Sequence, residues 1–433
     1  MKYEKKQDVI VIVGGGVAGL ELATSLARLR KKRIPNVVLV DRDSIHVWKP
    51  MLHTIAAGTS DISQQQIPYL AQAFQAGFDY QPGEMTNIDR TSREIELAAI
   101  FSDDGRLLVP SRRISYHTLV LAVGSEANDF ATTGVNEHCF RIDSRLQAEA
   151  FNKELRIRML QALSQRSELS VAIVGGGATG VELAAELIQL KEAASMYGAE
   201  ELKVRFHVTL IESGDRLLRA FPEKISTKAL KRLESLGVKV LVNTRVNIAT
   251  ATGFELDGGK KIEASILVWA AGIKAPIFLR GLDGLEVTSN NQLVIKPSLQ
   301  TTRDDNIYVI GDCASLRSSN SEHQLPATAQ VAHQQAQHLV RYLPGVFLNN
   351  KCVPEFKYRD FGSIVSLAEY DAYGSLGKFG LFNGGTIRGR LAQLSHLMLY
   401  RSHQVRLLGF WRGSLVWFVD VINKYLRSSI RLD

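Results

Sequence analysis

One unit occurs twice in this chain, and it restricts the possible folds more than any other feature. The first copy runs Val9-Ile-Val-Ile-Val13, Gly14-Gly-Gly-Val-Ala-Gly19, an Ala/Leu-rich stretch, then Val37-Val-Leu-Val-Asp41. The second runs Val171-Ala-Ile-Val174, Gly175-Gly-Gly-Ala-Thr-Gly180, a similar stretch, then Val208-Thr-Leu-Ile-Glu212. Each reads as strand, glycine turn, helix, strand and terminal acid. A lone G-x-G-x-x-G is a weak signal; twice in this context it points to two nucleotide-binding βαβ units. Gly14, Gly16 and Gly19 fit the first pattern, and Gly175, Gly177 and Gly180 the second. Asp41 lies 22 residues past Gly19, near the usual spacing, whereas Glu212 lies 32 past Gly180. An insertion around Met196-Tyr-Gly198 is the expected cause.

The residue types state their chemistry. Glycine lets backbone approach a pyrophosphate, and a helix N-terminus offers free N–H groups at the positive end of its dipole. The strand-terminal carboxylate accepts from a ribose 2′-hydroxyl. Glu212 would repel a 2′-phosphate, which favours NAD(H) over NADP(H), with Arg216 nearby as a counterweight. Tyr116-His-Thr-Leu-Val-Leu-Ala-Val-Gly124 and Ile266-Leu-Val-Trp-Ala-Ala-Gly272 read as buried strands ending in glycine. Asn306-Ile-Tyr-Val-Ile-Gly-Asp312 reads as a strand ending in Gly311 and Asp312, a pair that can place a carboxylate on a ribityl chain and that, taken alone, is more often a turn. Short β-branched runs alternating with helical patterns define an α/β protein with parallel sheets. Its 433 residues leave room for roughly two to four domains.

Together these motifs resemble the two-dinucleotide-binding-domain flavoproteins, and among them the type II NADH:quinone oxidoreductases of bacteria. Further support comes from His46-Val-Trp-Lys-Pro-Met-Leu-His53, Gly124-Ser-Glu-Ala-Asn-Asp-Phe130, Val268-Trp-Ala-Ala-Gly-Ile-Lys-Ala-Pro276 and Leu299-Gln-Thr-Thr-Arg303. Ala329-Gln-Val-Ala-His-Gln-Gln335 is similar to the family's quinone-site signature. The resemblance implies an FAD domain split by an inserted NADH domain: 1–150 and 286–345 for FAD, 151–285 for NADH, then a small C-terminal domain, 346–433. It implies tightly bound FAD on Gly14, Gly15, Gly16, Gly19, Asp41, Lys49, Met85, Gly124, Gly311, Asp312 and Ala329. It implies NADH on Gly175, Gly177, Ala178, Thr179, Gly180, Glu212 and Gly272.

The implied reaction is hydride transfer from NADH to flavin N5, then transfer of two electrons to ubiquinone or menaquinone, without proton pumping. Gln330 and Gln334 are four apart on one helix face, and their amides suit a quinone carbonyl. Pro326 is expected in that helix's first turn. Glu182 is expected near the flavin, where NADH and quinone pockets meet; Glu186 is expected to be a helix-face acid. Two alternatives are kept: a sulfide:quinone oxidoreductase using Cys139 and Cys352, and a flavin-binding redox sensor without turnover. Cys313 reads as a small buried residue. The cysteines form no CxxC and the histidines no metal-ligand spacing, so no metal is expected.

The net charge is +8, concentrated at one end. From Ile387 to Asp433, seven Arg and one Lys oppose two Asp. Residues 391–432 interleave Leu, Trp and Phe with Arg, and Arg412 and Asp420 interrupt any span. A basic amphipathic segment of this kind suits the interface of an anionic bilayer. A β-like stretch, Lys357 to Ser366, precedes it. The N-terminus lacks signal-peptide character, so the expected location is peripheral, on the cytoplasmic face of a bacterial inner membrane. No nucleic-acid partner is expected, and a homodimer is left open.

Overall fold

In the computed structural model, residues 9–29, 35–59, 66–316, 325–368, 370–376 and 386–426 are described. Val9–Val13 is the central strand of a five-stranded sheet, which explains its unbroken apolar run: parallel strands are covered on both faces. The order is Ile307–Val309, Thr118–Leu121, Val9–Val13, Asn36–Asp41, Asp79–Pro82, all parallel. The chain therefore leaves this sheet at Pro82, returns with Thr118–Leu121, and returns once more at Ile307.

A second parallel sheet forms inside that last interval, in the order Lys239–Leu241, Phe206–Ile211, Leu169–Val174, Ile266–Trp269. The duplication extends beyond the glycine motifs. Each half adds a three-stranded antiparallel sheet: Met85–Asp89, Glu94–Leu97 and Arg112–Ser115 in the first, Val246–Thr250, Gly253–Leu256 and Lys261–Glu263 in the second.

The two motif helices differ in length. Val17–Arg28 has 12 residues and Ala178–Met196 has 19, followed by a turn through Gly198 and the short helix Leu202–Arg205. This is the insertion expected from the longer spacing to Glu212. The longer helix is buried along most of its length, including Glu182 and Glu186. Two continuous helices cross the expected domain limits. Arg145–Gln165, capped by Ser144 Oγ accepting from Gln147 N, runs through 150/151, and Ala329–Asn349 runs through 345/346.

Three antiparallel strands follow, Gly362–Leu367, Asp371–Leu376 and Thr386–Arg388. The expected strand from Lys357 begins only at Gly362, because Tyr358–Phe361 is bound to side chains of the Ala329–Asn349 helix instead. The chain ends in a helical hairpin, Arg390–Leu408 and Phe410–Leu426, broken at Gly409, whose φ of +85° suits glycine. Ala392, Tyr400, His403, Gln404 and Leu407 form the buried stripe of the first helix. Arg28 donates to the Arg406 and Leu407 carbonyls and Gln72 to that of Leu407, closing the helix's carbonyl end. Arg401 pairs with Asp420 at 2.7 Å, so one of the two charges that interrupt the apolar run links the two helices. Leu391, Leu394, Met398, Phe410, Trp411, Leu415 and Phe418 remain exposed. Residues 427–432 of the expected membrane segment lie outside the described residues. Among the described residues, no helix is long and apolar enough to cross a membrane.

Candidate active site

The two glycine turns have matching geometry. Gly14 and Gly175 adopt φ of +102° and +118°, and a side chain on either would strike the neighbouring strand's backbone, at Ala122 and Ala270. A Cβ on Gly19 or Gly180 would run into the carbonyl oxygen of Gly14 or Gly175. Gly16 and Gly177 differ: a Cβ there meets nothing within 4 Å. Each is the N-cap of its helix, and neither makes a side-chain capping bond. The first-turn N–H groups of both helices thus face open space, which fits a pyrophosphate. The acids match too. Asp41 accepts from Gly15 N at 2.5 Å, and Glu212 accepts from Gly176 N and Gly214 N, both at 2.6 Å. Burial raises the Asp41 pKa, and the Gly15 N–H opposes the rise. Arg216 donates to the Phe221 and Arg219 carbonyls, turned toward its own loop.

Supporting residues surround the first turn. Tyr69 Oη and His46 Nδ1 both donate to Gly15 O, at 2.9 and 2.8 Å. Because a carbonyl only accepts, His46 carries its proton on Nδ1 and receives at Nε2 from His403 Nε2, 3.0 Å away. Burial pushes His46 down to about 4. On the far side, Lys49 Nζ donates to Ser125 O at 2.6 Å, and Ser125 Oγ donates to Asp312 at 2.7 Å. Gln335 Oε1 accepts from Gly311 N at 2.7 Å, and Gln292 Nε2 donates to Asp312 O at 2.8 Å. A cavity of about 190 Å³ opens here, lined by Ser125, Asp312, Leu325, Ala327, Ile273 and Lys274 among others. Met85 is buried on its strand, Gly124 and Gly272 adopt positive φ at the ends of theirs, and Ala329 starts its helix.

Gln330 and Glu182 reach one strand. Gln330 Nε2 donates to Gly362 O at 3.1 Å, and its Oε1 accepts from Tyr358 Oη and Phe361 N. Glu182 Oε1 accepts from Ser366 N at 3.0 Å. These strand residues are four apart, roughly 13 Å at the usual rise. Gln334 binds both backbone polar groups of Arg359. The glutamine amides therefore hold the Tyr358–Gly362 segment, a role the spacing did not suggest. Pro326 lies upstream of the helix, whose N-cap is Thr328, its Oγ1 accepting from Val331 N. Glu186 is a correction: it is buried and accepts from Thr59 Oγ1, so it is no exposed helix-face acid. Burial, with Glu186 close by, pushes Glu182 up to about 8, against the Ser366 N–H; His53 Nδ1 stands 3.5 Å from it.

The three cysteines are free. Cys139 packs beside the second sheet's core, Cys313 is buried, and Cys352 is exposed. Burial pushes the Cys139 thiol up to about 12, away from a reactive thiolate. Of the supporting residues, Ser125, His46, His53 and Gln335 lie within the quoted motifs, so proximity to them was an available signal. Tyr69, Tyr358 and His403 carried none, since only the fold brings them near.

The fold and its two open cradles define an oxidoreductase that uses a flavin and a nicotinamide nucleotide. A family model described as pyridine nucleotide-disulphide oxidoreductase matches residues 8–336. The type II NADH:quinone oxidoreductase of Haemophilus influenzae is 41% identical over 443 residues, covering 98% of this chain and 99% of that protein. The enzyme of the same name from Staphylococcus aureus is 28% identical over 382 residues, covering 86% and 90%. NDH2 of Plasmodium falciparum, in complex with NADH, shares the fold with a TM-score of 0.83 at 18% identity, over 99% of this chain and 100% of that one. The sulfide:quinone oxidoreductase of Aquifex aeolicus also shares it, with a TM-score of 0.71 at 15% identity, over 97% and 95%. The chain belongs to the pyridine nucleotide-disulphide oxidoreductases and, within them, to the type II NADH:quinone oxidoreductases. FAD and NADH are accordingly its cofactor and reductant.

Proposed function

We propose that this chain oxidises NADH and reduces a membrane quinone, ubiquinone or menaquinone, without pumping protons. The observation that carries the reading is the pair of open, uncapped helix N-termini, each closed by its own strand-terminal acid. FAD, when bound, supplies the redox chemistry by accepting a hydride and passing on two electrons. Gly16 and the first turn of Val17–Arg28 would bind its pyrophosphate, with Asp41 at the ribose and Asp312 at the ribityl chain, positioned by Ser125. Gly177, Ala178 and Thr179 would bind the NADH pyrophosphate, and Glu212 its adenosine ribose. Gly124, Lys49, Met85, Ala329 and Gly272 would line the meeting place of the two.

Gln330 uses one amide N–H on Gly362, and its second is left to a quinone carbonyl. Gln334 would act indirectly, by fixing Arg359. Glu182, favoured in its protonated form, can hold a proton at its carboxyl and release it as quinone is reduced. Domain limits follow the helices: the first division falls before Ser144, and the last after Asn349. The exposed apolar face of the terminal hairpin, with its Arg residues, would lie in an anionic bilayer on the cytoplasmic side of a bacterial inner membrane.

Anaerobic stopped-flow separates the half-reactions. Gln330→Leu should leave flavin bleaching by NADH within about twofold of wild type. It should slow flavin reoxidation by a soluble ubiquinone analogue about tenfold or more, in line with a lost hydrogen bond in the acceptor site. Equal loss in both halves would remove Gln330 from the quinone site.

A further inference from the structure

A cavity of about 280 Å³ lies between the helix Glu223–Ser235 and the C-terminal sheet, and none of the chemistry above uses it. Four of its six lining residues are cationic. Lys228, Lys231, Arg232 and Ser235 line it from the helix, at the three- and four-residue spacings that share one face. Arg388 lines it from the strand Thr386–Arg388, and Tyr373 from Asp371–Leu376. Four cationic residues from two distant parts of the chain therefore border one space.

Little neutralises them. Asp371 pairs with Arg388 at 2.8 Å, while Lys228 and Lys231 make no ion pair among the described residues. Arg232 lies 5.6 Å over the Tyr370 ring, whose hydroxyl is given to Glu192, and Arg388 lies 5.5 Å over the Tyr373 ring. The rings hold the two guanidinium groups in place. Basic residues in a helix's last turn favour its carbonyl end, which accounts for Arg232. It does not account for Lys228 in mid-helix or for Arg388 on another element. Like charges around one cavity repel, and an anion between them turns that repulsion into attraction. Ammonium and guanidinium groups together are the donor set that phosphate oxygens accept from.

We propose that this cavity binds a phosphate group, carried either by an anionic lipid headgroup or by a free phosphate. Arg388 stands two residues before the helix Arg390–Leu408, whose Leu391 and Leu394 are exposed, so the cavity adjoins the apolar face offered to a bilayer. The lipid source rests on the membrane reading above; the phosphate chemistry does not.

The test uses the full-length, FAD-loaded protein in three forms: wild type, Lys228→Gln/Lys231→Gln, and a control, Lys203→Gln/Lys239→Gln, that removes the same charge elsewhere on the NADH-binding half. Flavin bleaching by NADH should be alike in all three. One arm measures the thermal shift given by inorganic phosphate against chloride at equal ionic strength. The other measures flotation with phosphatidylcholine vesicles, with and without phosphatidylglycerol. The cavity variant should lose roughly 30-fold in affinity in at least one arm, at the usual worth of a lysine near an anionic surface. The control should stay within about twofold.

Loss with phosphate alone assigns a free phosphate, and loss with phosphatidylglycerol vesicles assigns a headgroup. No loss in either arm, or equal loss in the control, overturns the site. Failure of every form to float would count against the membrane reading and leave the phosphate arm to decide.

Discussion

Gly177 and Gly180 stand three residues apart, yet alanine should act on them in opposite ways. At Gly177 φ is −73°, allowed for any residue, and an added Cβ meets no protein atom within 4 Å. Its methyl would occupy the space assigned to the NADH pyrophosphate. Folding should change little: the loss of a glycine N-cap costs up to about 1 kcal/mol, and the reduced freedom of the unfolded chain returns about 0.4–1 kcal/mol. Binding should change much. Displacing the pyrophosphate from its charge-assisted N–H contacts removes about 1.5–3 kcal/mol, or about 10- to 150-fold in the NADH dissociation constant. At Gly180 the Cβ runs into the Gly175 carbonyl oxygen, which is backbone and cannot rotate away. That substitution should destabilise the fold by about 1–3 kcal/mol or more.

The assay pairs anaerobic flavin bleaching across a range of NADH concentrations with urea unfolding and FAD retention on gel filtration. Gly177→Ala should keep its FAD and its urea midpoint while its NADH saturation shifts. If Gly177→Ala saturates like wild type, the helix N-terminus is not where the pyrophosphate lies. If it unfolds as readily as Gly180→Ala, the cradle is not open space.

Three further outcomes follow from buried polar groups. Glu182 is pushed up to about 8, so its contribution to stability is present below about pH 4.5 and is lost as pH rises through 8; urea midpoints should show Glu182→Gln gaining about 5 kcal/mol on wild type between those limits, and a constant difference would mean an ordinary carboxylate. His46 is pushed down to about 4, so burying it neutral stabilises the fold above pH 6.5 and the gain is lost as pH falls toward 4; about 3 kcal/mol of acid sensitivity should disappear in His46→Gln, measured by the same midpoints. Gln335→Leu leaves Gly311 N without its acceptor and should cost about 1–3 kcal/mol in unfolding assays, along with weaker FAD retention.

The nucleotide-binding framework was legible because its signals are local. Strand, glycine turn and helix are contiguous, and each glycine answers to a backbone constraint within a few residues of itself. Even the irregular feature, 32 residues between Gly180 and Glu212, reported the longer helix Ala178–Met196 correctly. The expected domain limits fared less well against the helices. Around 150 no residue marks a boundary, and at 345 Pro344-Gly345 reads as a helix stop that the helix Ala329–Asn349 nevertheless runs through; Ser144 and Thr328, which do cap helices, are single hydroxyls among many. The three-stranded sheets repeated in each half were illegible for a related reason: short antiparallel strands of mixed polarity carry a weaker pattern than a buried parallel run.

The acceptor side shows where such reading stops. Spacing alone placed Gln330 and Gln334 on one face, and that is where they are. A face, however, does not say what lies opposite it. The partner is the Tyr358–Gly362 segment, which looked like the start of a strand because Tyr and Phe favour strands. Side-chain amides compete for its backbone, and the strand starts only where they end, at Gly362. Glu182 then meets the same strand at Ser366, and the same burial that raises its pKa also takes in Glu186. Neither effect is visible along the sequence, because both depend on what the C-terminal sheet covers. The sheet that closes over Glu182 leads directly into the terminal hairpin, whose buried His403 returns to His46 beneath the first glycine turn. A disturbance of the hairpin therefore reaches the first glycine turn through hydrogen bonds, from His403 to His46 and on to the Gly15 carbonyl.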